Sequence, residues 1–371
     1  MNTLEFIVVM IKLFPGGMQF VAFKMLQQTK VINMEGALVA FKRSFFIALV
    51  LFVSVMLAFI PYAYVKRKNP KQVSSITPKA MAKVSISGSC DAVAQICTII
   101  GASKIPVSLV MVLKGSRAIF SAGLSIVLLK KNLFAYQWAS IAICLVGLGI
   151  ASLGSYLGKA AAPENLLLGL GLVLLAEAFR SVRIVYDERL MRMHNYDPFM
   201  IISLEGVTGT VIALLGLVVV NFIPGSDMGS YENFQNTLYM IGHSPVVIGL
   251  LATLPIWVIS MYLSGIFVTK LVSAVYNAIV TVLTVAVVWG AELFVHYVIS
   301  PDYGNEWTRW SWMQLAGFVL ILISTLMYDA TWKLPKFFAY PAEKSKDEIK
   351  PSKETSDEET TSNEPIAVNN A

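Results

Sequence analysis

Residues 166–187 read LLLGLGLVLLAEAFRSVRIVYD, from Leu166 to Asp187. As an α-helix this stretch rises about 33 Å, enough to cross a hydrocarbon core of about 30 Å. Yet Glu177, Arg180, Arg183 and Asp187 interrupt it at spacings of three and four residues, which places them on one face and permits pairing between turns. An unpaired charge at mid-bilayer costs at least about 2.5 kcal/mol, so such residues face a bundle interior or a water-filled path. The stretch reads as a transmembrane helix with its polar face turned away from lipid. Lys12, Lys42, Arg43, Asp91, Lys114, Arg117 and Glu205 sit in the same way inside other apolar runs.

Composition agrees with this reading. Of 371 residues, 56% are hydrophobic and only 14% charged, with a mean hydropathy of +0.67, where about a quarter of a soluble domain is charged. Ten windows are long and apolar enough to span: about 4–25, 37–62, 80–101, 105–129, 134–156, 166–187, 198–221, 245–268, 272–298 and 312–331. The expected fold is an all-α polytopic membrane protein with ten transmembrane helices, its first span retained. Five spans, a short join and five more give an odd number per half, which forces the halves into opposite orientation as inverted repeats. The expected units are 1–156, 157–332 and a disordered acidic tail, 333–371, rich in Lys, Glu, Ser and Thr. Residues 341–371 hold eight acidic and four basic side chains, so their balance of −4 leaves the body at +10 against a whole-chain +6.

Short loops alternate in basic charge. One set carries Lys66, Arg67, Lys68, Lys71 and Lys79, then Lys130 and Lys131, Arg189 and Arg192, Lys270, and finally Lys333 and Lys336. The other set is poor in Lys and Arg, and Asn221 to Ser244 has neither. The basic set is expected to face the cytosol, which puts both termini there. Trp138, Trp307, Trp310, Trp312 and Trp332 fall at span ends, as interfacial anchors do. No Asn-x-Ser/Thr acceptor occurs.

Polar residues recur at helical spacing. Ser87, Asp91, Gln95 and Thr98 share an arc of the third span, Lys114, Arg117, Ser121 and Ser125 a face of the fourth, and Ser273, Asn277, Thr281 and Thr284 a side of the ninth. Hydroxyl and amide stripes either bond neighbouring helices or line a cavity. The fourth-span cations suit an anionic substrate or a structural pair with Asp91. In the first span, Phe14-Pro15-Gly16-Gly17 predicts a kink or an unwound turn, with Lys12 and Gln19 pointing into a cavity from its two sides. Asp187, Glu188 and Arg189 are placed at the cytosolic headgroups. An enzyme finds no support: His194, His243 and His296 lie near span ends, and no HExxH, GxSxG or GxxxxGK[ST] occurs. Cys90, Cys97 and Cys144 lie in apolar segments and form no metal motif. Neither a catalytic residue, a metal nor a cofactor is expected, and the loop lysines set orientation rather than bind nucleic acid.

Several stretches carry a resemblance. Ser89-Cys90-Asp91, Ile100-Gly101-Ala102-Ser103, Leu113-Lys114-Gly115-Ser116-Arg117, Lys130-Lys131 and Gln137-Trp138 resemble the core of the solute carrier 35 family, subfamily F-like, in the drug/metabolite transporter (EamA-like) superfamily. Tyr186-Asp187-Glu188 through His194-Asn195-Tyr196-Asp197-Pro198 to Glu205-Gly206 resembles the join of its sixth and seventh helices, and Gly317 to Tyr328 its end. The resemblance implies two inverted five-helix halves, cytosolic termini, and a central cavity lined by helices one to four and six to nine. It implies exchange of nucleotide sugars or other metabolites across Golgi, endoplasmic reticulum or lysosomal membranes. Where relatives tend to carry Arg before the fourth-helix glycine this chain has Lys114, and where they tend to carry Gly-Glu in the second helix it has Lys42-Arg43.

Seven deep cations (Lys12, Lys42, Arg43, Lys114, Arg117, Arg180, Arg183) against Asp91, Glu177 and Glu205, with Glu292 at the border, point to an anionic cargo. The expected function is alternating-access transport of a small hydrophilic, nucleotide-sugar-like anion. Lys114 and Arg117 form the clamp, Asp91 and Glu177 organise it, Lys12 gates it, and Gln19, Gln95, Arg180, Asn277 and Thr281 complete the binding set. The expected partners are that substrate and membrane lipids, with a homodimer allowed. Two alternatives stand: a proton-coupled exporter of cationic or amphipathic solutes, and a scaffold or trafficking protein acting through its tail.

Overall fold

Long apolar runs free of strong breakers propagate helix, and the computed structural model is built of them. It describes residues 3–70, 74–102, 104–105, 110, 113–157, 166–299 and 306–333. The helices are α1 (Thr3–Gln28), α2 (Ser44–Met56), α3 (Phe59–Lys68), α4 (Pro78–Ala102), α5 (Ser116–Leu129) and α6 (Ala135–Leu157). They continue as α7 (Leu166–His194), α8 (Pro198–Phe222), α9 (Phe234–Gly242), α10 (Pro245–Leu271), α11 (Ala274–Phe294) and α12 (Ser311–Tyr328). Eight helical segments among the described residues are long and apolar enough to cross a membrane, α2 and α3 counting as one. The fourth and sixth predicted windows correspond to α5, described over 14 residues, and to α7, a 29-residue helix. The tail from residue 334, with its expected disorder, lies outside the described residues, as does the join at 158–165.

Starts follow local chemistry. Asp197 accepts from Phe199 N–H ahead of Pro198, and Ser244 accepts from Val247 N–H ahead of Pro245, each pairing a side-chain cap with a proline where no N–H is needed. A short antiparallel hairpin, β1 (Lys30–Ile32) with β2 (Leu38–Ala40), follows α1. Its turn needs Gly36 at φ +78°, a region glycine enters without penalty.

Helices pack in neighbouring pairs: α6 on α12, α4 on α7, α1 on α10, α2 on α8, with α7 also on α5 and α1 also on α11. The largest apolar core forms around Val275, Tyr276, Ile279 and Leu283 of α11, reached by Val9 and Leu13, Cys144 and Leu148, and Phe318 and Ile321. A second joins Val55 and Tyr62 to Met200, Ile201, Leu204 and Val258.

Three expectations need correction. First, α1 is helical throughout, without a break at Pro15-Gly16-Gly17. The glycines serve close approach instead: a Cβ on Gly17 would lie 2.6 Å from Val287 Cγ1, and one on Gly16 3.2 Å from Thr284 Cγ2, so α1 lies tight against α11. Second, the second span starts at Ser44, not near 37. The preceding apolar residues alternate into the hairpin, which leaves Lys42 exposed and Arg43 at the helix entry. Third, α7 extends to His194, so Asp187 and Glu188, 3% and 0% exposed, are buried among helices rather than set at headgroups.

Candidate functional site

The charged face of α7 meets α4, α5 and α8, and its groups divide into two clusters. At Glu177, Oε2 accepts from Arg117 Nε at 2.6 Å, and Oε1 accepts from Arg180 Nη1 at 3.1 Å. Arg180 Nη2 also donates to Gln95 Oε1 at 2.8 Å. Lys114 stands in electrostatic reach of these groups, its amine 4.0 Å from the centre of the Phe20 ring, a cation–π contact. Three cations therefore share one carboxylate.

One turn along α7 the balance reverses. Arg183 donates to Glu205 Oε1 and Oε2 at 3.0 and 2.7 Å, lies 3.4 Å from Asp91 Oδ2 and 3.7 Å from Asp187 Oδ2, and stacks over the Tyr262 ring. Tyr262 donates its hydroxyl hydrogen to Asp91 at 2.8 Å. Ser87 Oγ sits between two carboxyls, bonded to Asp187 and, at 2.6 Å, to Glu205. Here three carboxyls share one guanidinium. The opposed balances come from sequence spacing: Glu177, Arg180, Arg183 and Asp187 step along one face and meet different partners in turn.

The third group lies between α1 and α11. Lys12, 2% exposed, donates to Asn277 O at 2.8 Å, to Asn277 Oδ1, and to Thr281 Oγ1 at 2.7 Å. Asn277 Nδ2 in turn donates to Thr269 Oγ1 at 2.7 Å. All of these acceptors are neutral.

The structure thus brings Gln95, Arg117, Glu177 and Arg180 together, places Lys114 beside them, and gathers Lys12, Asn277 and Thr281 separately. Asp91 joins Arg183, not the fourth-span cations. Gln19 joins none of these groups; its buried Oε1 has no hydrogen-bond partner among the described residues. Arg43 pairs instead with Asp227 in the 223–244 segment, and Glu292 with Lys24 at 2.7 Å. The charges gathered in these three groups are accordingly Lys12, Lys114, Arg117, Arg180 and Arg183 against Asp91, Glu177, Asp187 and Glu205, and the seven-to-three cationic excess expected from sequence shrinks to five against four. Sequence reasoning missed Tyr262, an uncharged residue in an apolar run, and set Asp187 at the headgroups because charged residues follow it. These groups close on one another, as buried charges must, whereas a recess of about 300 Å³ lies at the bundle end, between Lys131, Gln137, Ser273 and Asp329.

Residues 29–153 match the EamA-like transporter family. Solute carrier family 35 member F6 of Homo sapiens is 26% identical over 250 residues, 63% of this chain and 64% of its own. The Rattus norvegicus protein of that name is 27% identical over 58% of each chain. An uncharacterised protein of Schizosaccharomyces pombe is 24% identical over 62% of this chain and 68% of its own. The chain thus spans less than two thirds of the length of the solute carriers it matches. A solved crystal structure, described only as that of a protein, superposes with a TM-score of 0.58 over 89% of this chain and 98% of its own; at 12% identity the likeness is one of fold. This is an integral multi-pass membrane protein with an EamA-like region at 29–153, similar to solute carrier family 35, subfamily F, as its own motifs indicate.

Proposed function

We propose that this chain is a secondary transporter that moves a small hydrophilic anion, of nucleotide-sugar type, by alternating access. The observation that carries the reading is the excess of Lys114, Arg117 and Arg180 over Glu177 in the polar core. Buried cations need counter-charge, and the substrate supplies it on binding. Lys114, tied only to a ring among the described residues, is the group free to turn toward that anion, and Glu177 keeps the two arginines in place meanwhile.

The supporting architecture is ten spans in two inverted halves, 1–156 and 157–332. The packing is consistent with it. Exchanging each helix for the one five spans on turns α4 on α7 into α10 on α1, α5 on α7 into α11 on α1, and α4 on α8 into α10 on α2, all of which occur. The pairs α6 on α12 and α2 on α8 map onto themselves. Even the polar seams correspond, since Arg117 and Ser121 face α7 as Asn277 and Thr281 face α1. With the basic loops cytosolic, both termini share that side of an endomembrane.

The test is uptake and thermal stabilisation by anionic metabolites in proteoliposomes and detergent. Binding confined to the folded state stabilises it by mass action, by about 2.7 kcal/mol at a hundredfold excess over Kd, and so raises its melting temperature. Lys114→Ala should abolish both responses; a variant that carries every anion as the parent does overturns the clamp. A second reading rests on Asp91, Asp187 and Glu205 around Arg183. Ser87 has one hydroxyl hydrogen for two facing carboxyls, which suits a bound proton and hence a proton-coupled carrier. Uptake that ignores a pH gradient in the parent and in Glu205→Gln alike removes that reading.

A further inference from the structure

Two buried carboxylates outside the polar core each close a helix start, at opposite ends of the bundle. Glu232, 2% exposed, reaches from the 223–244 segment to the first turn of α2. Its Oε2 accepts from Phe45 N–H at 3.0 Å and its Oε1 from Phe46 N–H at 2.7 Å. Arg43, just before that turn, is bonded to Asp227 of the same segment, and Asn236 Oδ1 accepts from Met34 N–H at 3.0 Å in the hairpin turn. At the other end, Glu188, 0% exposed, accepts from Ala274 N–H, the first residue of α11, at 2.9 Å. Its other oxygen takes Lys131 and, at 2.7 Å, Arg192. Helix starts carry unsatisfied N–H groups and partial positive charge, so an anion there is strongly held, and its removal strands buried donors.

The two attachments are not equivalent in the chain. Glu232 fastens α2 to the connection between α8 and α10, whereas Glu188 fastens α11 to α7 and to Lys131 after α5. The α10 helix begins beside the first attachment and ends beside the second, which sets them on opposite faces of the bundle. Inward of the first, Phe45 and Gln95 line a small void of about 10 Å³, so the latched turn lies next to a residue of the polar core. Outward of the second lies the 300 Å³ recess, lined by Lys131 and Ser273. Release of Glu188 would extend that recess inward. Both ends are fastened in this structure.

We propose that Glu232 and Glu188 are the two latches of the molecule, released one at a time to open the polar core to one side or the other. This rests on the alternating-access reading above, and supplies it with the groups that move. Each latch is a carboxylate whose loss frees a helix start, and at Glu188 the cations Lys131 and Arg192 as well, so opening is concentrated at one side chain per end. While one latch is released the other stays closed, which keeps the path from running through.

The test uses the full chain in oriented vesicles, with native thiols as reporters. Cys90 and Cys97 flank Asp91 and Gln95 on α4 and are half-buried, while Cys144 is buried and serves as control. A membrane-impermeant maleimide is added from one side or the other to the parent, Glu232→Gln and Glu188→Gln. Loss of one charge-assisted bond shifts a closed–open balance by about tenfold or more, so each variant should label about that much faster, from one side only, and the two sides should differ. Labelling unchanged in both, or raised by both from the same side, overturns the proposal. Should either Gln variant fold poorly, hydrogen exchange of the Phe45, Phe46 and Ala274 amides in Glu232→Asp and Glu188→Asp decides instead: a shorter carboxylate that leaves all three protected overturns the latch. Labelling is measured without any anion and anionic stabilisation is measured on the parent, so failure of the anion site and failure of the latches are read separately.

Discussion

Arg183 shows at a single residue how the buried charges hold together. It satisfies Glu205 with two parallel bonds and stands within 4 Å of both Asp91 and Asp187. A guanidinium matches a carboxylate in this way, and a lysine does not. Removing one partner of a buried pair costs about 3–5 kcal/mol because the other charge is stranded, and here three carboxyls would be stranded together. Arg183→Gln is therefore expected to lower unfolding stability in detergent by about that amount, and Arg183→Lys by less. Glu205→Gln placed in the Arg183→Gln background should recover part of the loss, since it relieves like-charge repulsion. A double variant no more stable than Arg183→Gln would show that Glu205 contributes through packing instead.

Between elements, glycine sets how near helices come. At the crossing of α6 and α12, a Cβ on Gly317 would lie 2.4 Å from Gly147 O, and one on Gly147 2.7 Å from Gly317 O. Both obstacles are backbone, which cannot rotate away. Gly317→Ala should lower the melting temperature by an amount corresponding to about 1–3 kcal/mol, while Gly149→Ala, with nothing within 4 Å of its Cβ, should leave it unchanged or raised. The 223–244 segment behaves differently, because its attachment is electrostatic and titrates. Burial raises the pKa of Asp227, but the bond from Arg43 and those from Asn233 N–H and the Asn236 amide outweigh burial and leave it below the usual carboxylate value. Its contribution is thus present above the unfolded-state pKa of about 4 and lost as pH falls below it. Burial raises the pKa of Glu232, against the Phe45 and Phe46 N–H bonds and Arg43, so this group takes up its proton ahead of Asp227 as pH falls and its protonation does not drive release of the segment. Hydrogen exchange over 223–244 should speed up below about pH 4, and Asp227→Asn should remove that step. A segment equally protected at neutral pH and at pH 3 would contradict the assignment.

For the whole molecule, hydropathy carried the spans because lipid imposes it on every one, and the helix bounds of α4, α6, α8 and α10 lie within three residues of the windows. The polar stripes were legible for the same reason, at Ser87, Asp91 and Gln95 and at Asn277 and Thr281. Which stripe meets which was not, because the partners lie far apart in the chain: Arg183 could have answered either carboxylate of α4 or α8, and Tyr262 gave no charge to notice. The break at Pro15 failed because glycine loosens a helix and lets helices touch with the same atom count, and only the neighbouring Val287 distinguishes the two. One consequence belongs to the molecule and not to any element. Under the inverted arrangement proposed above the α1–α11 and α5–α7 seams would be images of one another, yet one holds a lysine among neutral oxygens and the other an arginine–glutamate network. Replacing Lys12 by Met removes a buried charge that has no carboxylate to strand, so Lys12→Met should leave unfolding stability unchanged or raised. Glu177→Gln leaves Arg117 and Arg180 facing each other without an anion, and should lower it by about 3–5 kcal/mol. Added anionic metabolite should restore part of the Glu177→Gln loss and none of any Lys12→Met effect, if the substrate binds at the arginine seam. Measured melting curves for both variants, with and without anion, decide it: an anion that stabilises the parent and Glu177→Gln to the same extent but no longer stabilises Lys12→Met would place the anion on α1 instead.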